Sequence, residues 1–576
     1  MTARIPDLPA GGAPFPVPFP ACAVSRVSRR GLLLGGAALV AVVPAATAQQ
    51  ASDGAARPPV PPKGGAASAA ATEAGGTRTA TILHTNDFHG RHLPFEVVAG
   101  DATAQTGDPG RDPSGFDRTG RIGGFPALAT MIAQRRAALG ADAVVLVDGG
   151  DTFSDDLLGN LTKGEAVISC MNDMGYDFMA LGNHDFDYGF ERTQELQQIA
   201  GFPMRGANIT MKDGGAPVFG DPTLVVERGG IRIGLLALGY HNTDQTGHPD
   251  NYANLDFTSG IDAAARLVPD LRARADVVVV VSHQGSKVDR EMLRRVKGID
   301  VVVGAHSHDL ISPPEVIDGA HLVQALSDSA YLGEVTLTLR PDGTLSVTGT
   351  AHALWEDEVE QDAAMAARID AWRAPHLAAL DERIGTAAQP IARQYKTESP
   401  LDKLACRAMR DATGAQMGFM PGVGYGVTIP AGPVTRQALA TLLPHPSRIA
   451  TLTLTGAQLR TILEQSATNQ APDDPLDGVG GILQTDGVVW SVDLRKPPGQ
   501  RVAEILVDGV PVTDDGNYTA VLNAGFLGGL HRLKTFAEGR DIARRDELVS
   551  DLVIAAMGRE DPIAPPPLGD FTLTRA

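Results

Sequence analysis

Five stretches of the chain end an apolar run in side chains that can hold a metal ion. They are Thr81-Ile82-Leu83-His84-Thr85-Asn86-Asp87-Phe88-His89, Val145-Leu146-Val147-Asp148-Gly149-Gly150-Asp151, Leu181-Gly182-Asn183-His184-Asp185, Val280-Val281-Ser282-His283 and Val303-Gly304-Ala305-His306-Ser307-His308. Imidazole, carboxylate and amide oxygen together make a mixed, borderline-hard donor set that suits Zn, Mn, Co or Fe better than Mg or Ca. The pairs Asp87/His89 and His306/His308 are each two residues apart, and an extended backbone puts such pairs on one side, where both can grip the same cluster. One buried Asp or His alone more often caps or hydrogen-bonds than ligates. On that ground His84 reads as a core histidine, Asp148 as a turn residue and Asp185 as a structural partner. The signal is the ordered set of five.

Something must bring the five together, and the runs that precede them supply it. Short β-branched runs at 143–147, 276–281 and 299–303 alternate with helical patterns such as 261–273, and continuous apolar runs of this kind suit strands buried on both faces of a layered α/β sheet. In such sheets ligands gather beyond the carboxyl ends of the strands, where neighbouring loops converge. Glu227-Arg228-Gly229-Gly230 before Ile231 reads as a hairpin turn, so some pairing is antiparallel. Residues 362–383 read as one connecting helix. A second unit begins near Gly385, with a helix at 401–413, several short strands and a hairpin signal at Ile505-Leu506-Val507-Asp508-Gly509.

At 576 residues the chain exceeds what one hydrophobic core organises, and its 43% apolar and 20% charged content is that of soluble globular protein. A formal net charge of -19 repels a polyanion, which excludes diffuse binding to nucleic acid and leaves room for a small phosphorylated substrate at a locally positive site. Three cysteines, Cys22, Cys170 and Cys406, make neither a disulfide framework nor a Cys-rich zinc site. The N-terminus reads as an address. Ser28-Arg29-Arg30-Gly31-Leu32-Leu33 is a twin-arginine signature, an apolar run over 32–43 follows it, and Ala46-Thr47-Ala48 offers small residues for cleavage. That run is short of the roughly 20 apolar residues that span a bilayer, so no membrane span is expected after cleavage. We read residues 1–48 as the signal and the Ala/Gly/Pro stretch 49–78 as a disordered tether, which places the folded protein in the periplasm or otherwise outside the cytoplasm.

Taken in order, Asp87-x-His89, Gly150-Asp151, Gly182-Asn183-His184-Asp185, His283 and Gly304-x-His306-x-His308 resemble the calcineurin-like metallophosphoesterase signature. The fuller forms Leu83-His84-Thr85-Asn86-Asp87-x-His89-Gly90 and Gly182-Asn183-His184-Asp185-Phe186-Asp187-Tyr188-Gly189 resemble the 5'-nucleotidase and UDP-sugar hydrolase branch. Further on, Ser399-Pro400-Leu401, Pro430-Ala431-Gly432-Pro433-Val434-Thr435 and Leu454-Thr455-Gly456-Ala457-Gln458-Leu459 are similar to that branch's C-terminal domain. The resemblance implies a four-layer αββα metallophosphoesterase domain over 79–354, a connecting helix within 355–384 and an α+β substrate domain over 385–576. It implies two divalent ions, with Asp87, His89 and His308 on one, Asn183, His283 and His306 on the other and Asp151 bridging, although the family often carries an amide where His308 stands. It also implies a catalytic dyad, His184 with Asp187. Two dications against two carboxylates leave a positive pocket that attracts a phosphate dianion. The expected reaction is hydrolysis of a small phosphate ester, foremost a 5'-nucleotide.

The substrate side departs from the branch. Its Asn-Gly-Gly-Gly-Ile-Arg loop is here Pro421-Gly422-Val423-Gly424-Tyr425-Gly426, its Leu-Pro-Phe-Gly is Leu443-Pro444-His445-Pro446, and its late Gly-Gly-Asp-Gly-aromatic segment is Gly528-Gly529-Leu530-His531-Arg532. Tyr425, His445, Phe526 and His531, with Arg532, are therefore candidates for a different pocket. Alternative readings are a phosphodiesterase or pyrophosphohydrolase on 2',3'-cyclic nucleotides or UDP-sugars, and a metal-bearing binding protein without catalysis. Asp187 leans against the cyclic-nucleotide branch, and Asn183-His184 against a thiosulfate-type sulfur hydrolase. The address is open to direct test: replacing Arg29 and Arg30 by Lys is expected to leave unprocessed precursor inside the cell. Undiminished export of that variant points to a Sec-type signal instead.

Overall fold

The apolar runs become central strands. The computed structural model describes residues 76–100, 115–395, 397–424 and 427–574, so the signal, nearly all of the tether and Tyr425 lie outside the described residues. Strand Arg78–Thr85 runs parallel to Val144–Asp148, which pairs in the same sense with Phe178–Ala180 and through it with Met204–Met211. Leu255–Phe257 closes one edge of this eight-stranded sheet, and Tyr331–Leu339 with Leu345–Ala353 forms the other, all antiparallel. A second sheet of six strands has Ile231–Leu238, Val277–Ser282, Val301–Gly304 and Ala320–Ala325 parallel at its centre.

The two sheets face each other through Ile82, Val145, Val147 and Phe178 on one side and Ile233, Leu235, Val279, Val281 and Val303 on the other, all fully buried. Helices Phe125–Leu139, Glu165–Met174 and Ala363–Arg373 cover the outer face of the first sheet. Helices Gly260–Arg274 and Ser286–Arg295 cover that of the second. This is the four-layer αββα arrangement, and it explains the unbroken Val277–Val281 run: each strand meets apolar neighbours on both faces, so no position is left for an outward polar residue. The Gly229-Gly230 turn has both residues at positive φ, 53° and 76°, and joins Thr223–Arg228 antiparallel to Ile231–Leu238.

The connecting segment is shorter than its periodicity predicts. Asp362 caps the helix by accepting from Met365 N, but the helix ends at Arg373. Pro375 follows at once, and its missing N–H and fixed φ break the ladder. One tight turn and the short helix Leu377–Leu380 lead into strand Arg383–Ala387.

Beyond it, a five-stranded sheet in the order Gly481–Asp486, Met417–Gly422, Asn517–Asn523, Arg448–Thr455, Arg540–Leu548 packs helices Pro400–Thr413 and Val549–Arg559 on one face and Gly456–Gln470 on the other. A four-stranded sheet that includes Val502–Val507 lies beside the latter, and that strand turns back at Asp508-Gly509 as a hairpin. Cys170 and Cys406 are buried in separate cores as free thiols. No helix among the described residues is long and apolar enough to cross a membrane.

The C-terminal half is held against the loops of the first by polar bonds. Asn160 Nδ2 donates to Pro444 O at 3.0 Å, Tyr240 Oη to Gly478 O at 3.0 Å, and Arg532 Nη2 to Asn242 Oδ1 at 2.8 Å.

Candidate metal centre

Both sheets end their parallel strands on the same side, and the loops that follow interlock. Asp87 N donates to Gly150 O at 2.9 Å, His89 N to Asp151 O at 3.0 Å and Gly90 N to Thr152 O at 3.0 Å, which zips the first loop to the second. Asp185 ties the second to the third, accepting from Asp151 N, Thr152 N and Gly182 N at 2.8–3.0 Å. Asp87 accepts from His306 N at 3.0 Å and so reaches the fifth loop, while His283 Nδ1 donates to Gly149 O at 2.8 Å and brings in the fourth.

The paired residues do share a side, but the reason differs from the extended backbone that their spacing predicts. Asp87, His89, Asp151, His306 and His308 all sit in the left-handed region, with φ between 47° and 69°. That conformation costs an L-residue on the order of 1–2 kcal/mol, and it turns alternate side chains inward from loops too tight to be strands. Gly150 is also left-handed, at φ 97°, and a side chain at Gly182 would collide with the Asp151 carboxylate.

Two sets of donors result, Asp87/His89/His308 and Asp151/His283/His306, each with its ligand atoms within 4.8 Å of one another. Their atoms fit cations better than they fit each other. His89 gives its Nδ1 proton to Asp155 Oδ2 at 2.8 Å, so the lone pair on Nε2 faces His308 Nε2, 3.0 Å away. His283 likewise spends its Nδ1 on Gly149 O, and its Nε2 comes within 2.9 Å of Asp151 Oδ2 without the alignment of a hydrogen bond. Asn183 Oδ1 is buried with no hydrogen-bond partner. Orphaned acceptors at this depth are costly unless a positive charge lies among them, so the residues fit a metal pair. Burial alone raises Asp87, yet His308 and His283 more than offset it and hold the carboxylate below its ordinary value. Burial pushes His306 far down, helped by His283, which keeps its ring neutral and able to ligate.

The other sequence candidates separate by environment. His84 is a core histidine lowered to about 3 by burial. Asp148 and Asp185 are each pushed up to about 7 by burial and serve the loop backbones. His184 Nδ1 lies 2.8 Å from Asp187 Oδ2, and its backbone N donates to Asp151 Oδ1 at 2.7 Å, which puts this pair at the rim of the cluster. His445 reaches the pair from the C-terminal half. Phe526 does not line an opening: it is fully buried, stacked on Phe536 at 4.8 Å. His531 is buried against Gly480 and lowered to about 4 by burial. Arg532 Nη1 pairs with Asp477. The open cavity beside His306 is lined instead by Tyr240, Lys287, Tyr395, Asn469 and Gln470. Tyr240 stacks on His306 with ring centres 3.9 Å apart. It was legible in principle, since it follows strand Ile231–Leu238 as the other site residues follow theirs. Asp155 carried no such signal.

Comparison with known proteins bears on this arrangement directly. Residues 80–310 match the calcineurin-like phosphoesterase family and residues 383–538 match the 5'-nucleotidase C-terminal domain, together more than half of the chain. The chain belongs to the 5'-nucleotidase family. It is 26% identical to the snake venom 5'-nucleotidase of Gloydius brevicauda, covering 85% of this chain and 88% of that one, and 27% identical to the 5'-nucleotidase of Homo sapiens, covering 75% and 78%. The fold matches a 5'-nucleotidase precursor from Thermus thermophilus with a TM-score of 0.77 at 24% identity, over 86% of this chain and all of that one. It also matches a sulfate thiohydrolase from the same organism with a TM-score of 0.78 at 23% identity, over 86% and 96%.

This family member is a metal-dependent hydrolase of phosphate esters with a binuclear divalent centre. Elemental analysis of the purified protein is expected to find close to two transition ions per chain. Asp151→Ala is expected to lower both, and loss of only one ion with full retention of the other would remove Asp151 as a bridge.

Proposed function

We propose that this chain is an exported phosphomonoesterase acting on 5'-nucleotides and related small phosphate esters, delivered by its twin-arginine signal to the periplasm. In this reading Asp87, His89 and His308 would hold one ion and Asn183, His283 and His306 the other, with Asp151 shared between them. One observation carries it: two clusters of buried carboxylates and imidazoles converge near the His184–Asp187 pair, and the buried His283 Nε2 and Asn183 Oδ1 have no hydrogen-bond partner. Two bound divalent ions supply a positive seat for the phosphoryl oxygens and a water acidified towards neutrality for in-line attack.

The side chains do the remaining work. Asp187 accepts from His184 Nδ1 and fixes the ring so that Nε2 is left to face the substrate. From there His184 stabilises charge on the phosphoryl group or protonates the departing oxygen. Asp155, 1% exposed, steadies both His89 and His184, whose Nδ1 atoms lie 2.8 and 3.1 Å from its Oδ2. The cavity between Tyr240 and Tyr395 lies next to the centre and offers the leaving group two aromatic rings, the amides of Asn469 and Gln470, and Lys287.

His184→Ala is expected to retain both ions while kcat and kcat/KM fall together by roughly 10²- to 10⁴-fold. Loss of an ion from that variant would make His184 a ligand instead.

Selectivity gives a second test. The loop Asn and Arg are missing, Phe526 is in the core and His531 is buried, so the nucleoside clamp is not rebuilt at those positions. Stacking is worth roughly 1–3 kcal/mol per base, so the preference is expected to be broad. The kcat/KM for adenosine 5'-monophosphate should fall within about tenfold of that for an aryl phosphate. A screen that also holds cyclic nucleotides and nucleotide sugars checks this. A thousandfold preference for the nucleotide would show that Tyr240 and Tyr395 form a clamp of their own.

A further inference from the structure

Next to the binuclear centre, and separate from its seven ligands, four more donors converge. Asp155, His184 and Asp187 come from the metal-bearing half and His445 from the C-terminal half. His184 Nδ1 lies 2.8 Å from Asp187 Oδ2 and 3.1 Å from Asp155 Oδ2. His445 Nε2 lies 3.0 Å from Asp155 Oδ1 and 3.1 Å from Asp187 Oδ2. Both imidazoles therefore touch both carboxylates, and the rings stack at 5.3 Å with 23° between planes.

A hydrogen-bonded cluster explains part of this but not Asp155. Its Oδ2 is spoken for by His89, while Oδ1 is buried and has no aligned hydrogen bond despite the nearby imidazole. That atom lies 3.0 Å from His445 Nε2, within the group of four. A tetrahedral ion with bonds of about 2.0–2.1 Å has ligand–ligand edges of roughly 3.4 Å. One ligand atom from each of the four residues lies within 4.8 Å of the others. The 3.0 and 3.1 Å that separate His445 Nε2 from Asp155 Oδ1 and Asp187 Oδ2, with the 2.8 Å from His184 Nδ1 to Asp187 Oδ2, open to such edges by small side-chain shifts. Two carboxylates neutralise a dication, and two imidazoles with two carboxylates form the borderline donor set that Zn²⁺ accepts. The cluster is reachable, because the His445 side chain is 39% exposed and that of His184 15%.

We propose that Asp155, His184, Asp187 and His445 form a third, weaker transition-metal site that fills when such ions are in excess and silences the enzyme. The ion displaces the proton from His184 Nδ1, which moves to solvent or to Nε2, and takes the freed Nδ1 lone pair and the carboxylate of Asp187 out of the dyad, so His184 can no longer become a cation beside the phosphate. It also pins His445, and with it the C-terminal half, to the catalytic rim. The site stands on its own geometry; only its effect on rate rests on the dyad role proposed above.

Protein holding its tightly bound ions is dialysed against rising Zn²⁺, with ions per chain read by elemental analysis and aryl phosphate hydrolysis read in parallel. The wild type is expected to go from two to three ions per chain, its rate falling as the third binds. His445→Phe is expected to stop at two, or to take the third with an affinity weakened roughly tenfold or more, and its own rate should resist excess Zn²⁺ to the same degree. His445→Asp, which returns a ligand atom, is expected to regain the third ion and guards against a folding defect in the phenylalanine variant. Binding that ends at two in the wild type, or a third ion held equally by wild type and His445→Phe, overturns the proposal. A third ion that binds through His445 without slowing hydrolysis overturns its inhibitory half. A tight count below two would instead count against the binuclear reading, and the difference between wild type and His445→Phe would still decide the third site.

Discussion

Two carboxylates and four imidazoles packed within a few ångströms and largely buried repel or strand one another unless positive charge lies among them, and the surrounding structure follows from meeting that need. Asp87 and Asp151 are essentially buried, and so are His89, His283 and His308. Leaving such groups uncompensated costs several kcal/mol each. The chain spends backbone strain to arrange them, placing five of the seven candidate ligands in left-handed conformations. It then braces the loops with carboxylates outside the candidate ligand set. Asp148 accepts from Thr85, Thr152 and Gly150 N, and Asp185 from three amides of the two loops it joins. Such strain persists only where the surroundings over-determine it, and here two stacked sheets fix the strand ends from which every loop departs.

The same logic extends outward from the candidate ligands. His89 and His283 each engage Nδ1 with an acceptor, Asp155 in one case and the carbonyl of Gly149 in the other, which sets the tautomer and aims Nε2 at the centre. Asp155 then carries the arrangement one step further, to His184 and across to His445. Through it, His89 in the cluster, His184 at the rim and His445 of the C-terminal half share one buried carboxylate, so the rim of the site is a joint product of both halves of the molecule.

Division of labour between the halves accounts for what is strong and what is altered in this chain. The first half supplies the phosphoryl chemistry, which depends on the phosphate and not on what it is attached to. The second supplies the wall of the cavity beside His306, through Tyr395, Asn469 and Gln470. Arg532, placed by sequence among possible substrate contacts, bonds to Asp477 and Asn242 and helps to hold the halves together.

Strand identity and the convergence of Asp87, His89, Asp151, His283, His306 and His308 were legible in the sequence, because fully apolar runs report two-sided burial and each run ended in donors, whereas the αββα layering was implied by the family resemblance alone. The 362–383 segment reads as one helix because apolar spacing continues past Pro375, where the backbone ladder cannot. Local sequence also could not tell that Asp87/His89 and His306/His308 turn inward through left-handed backbone, since spacing by two is compatible with either geometry. Phe526 and His445 show the remaining limit. Both occupy plausible binding positions along the chain, but Phe526 packs on Phe536 inside the core while His445 meets Asp155 and Asp187 from far earlier in the sequence. Which of them faces the site depends on how the two halves of the chain pack together. That is decided by long-range packing and polar contacts that no local pattern encodes.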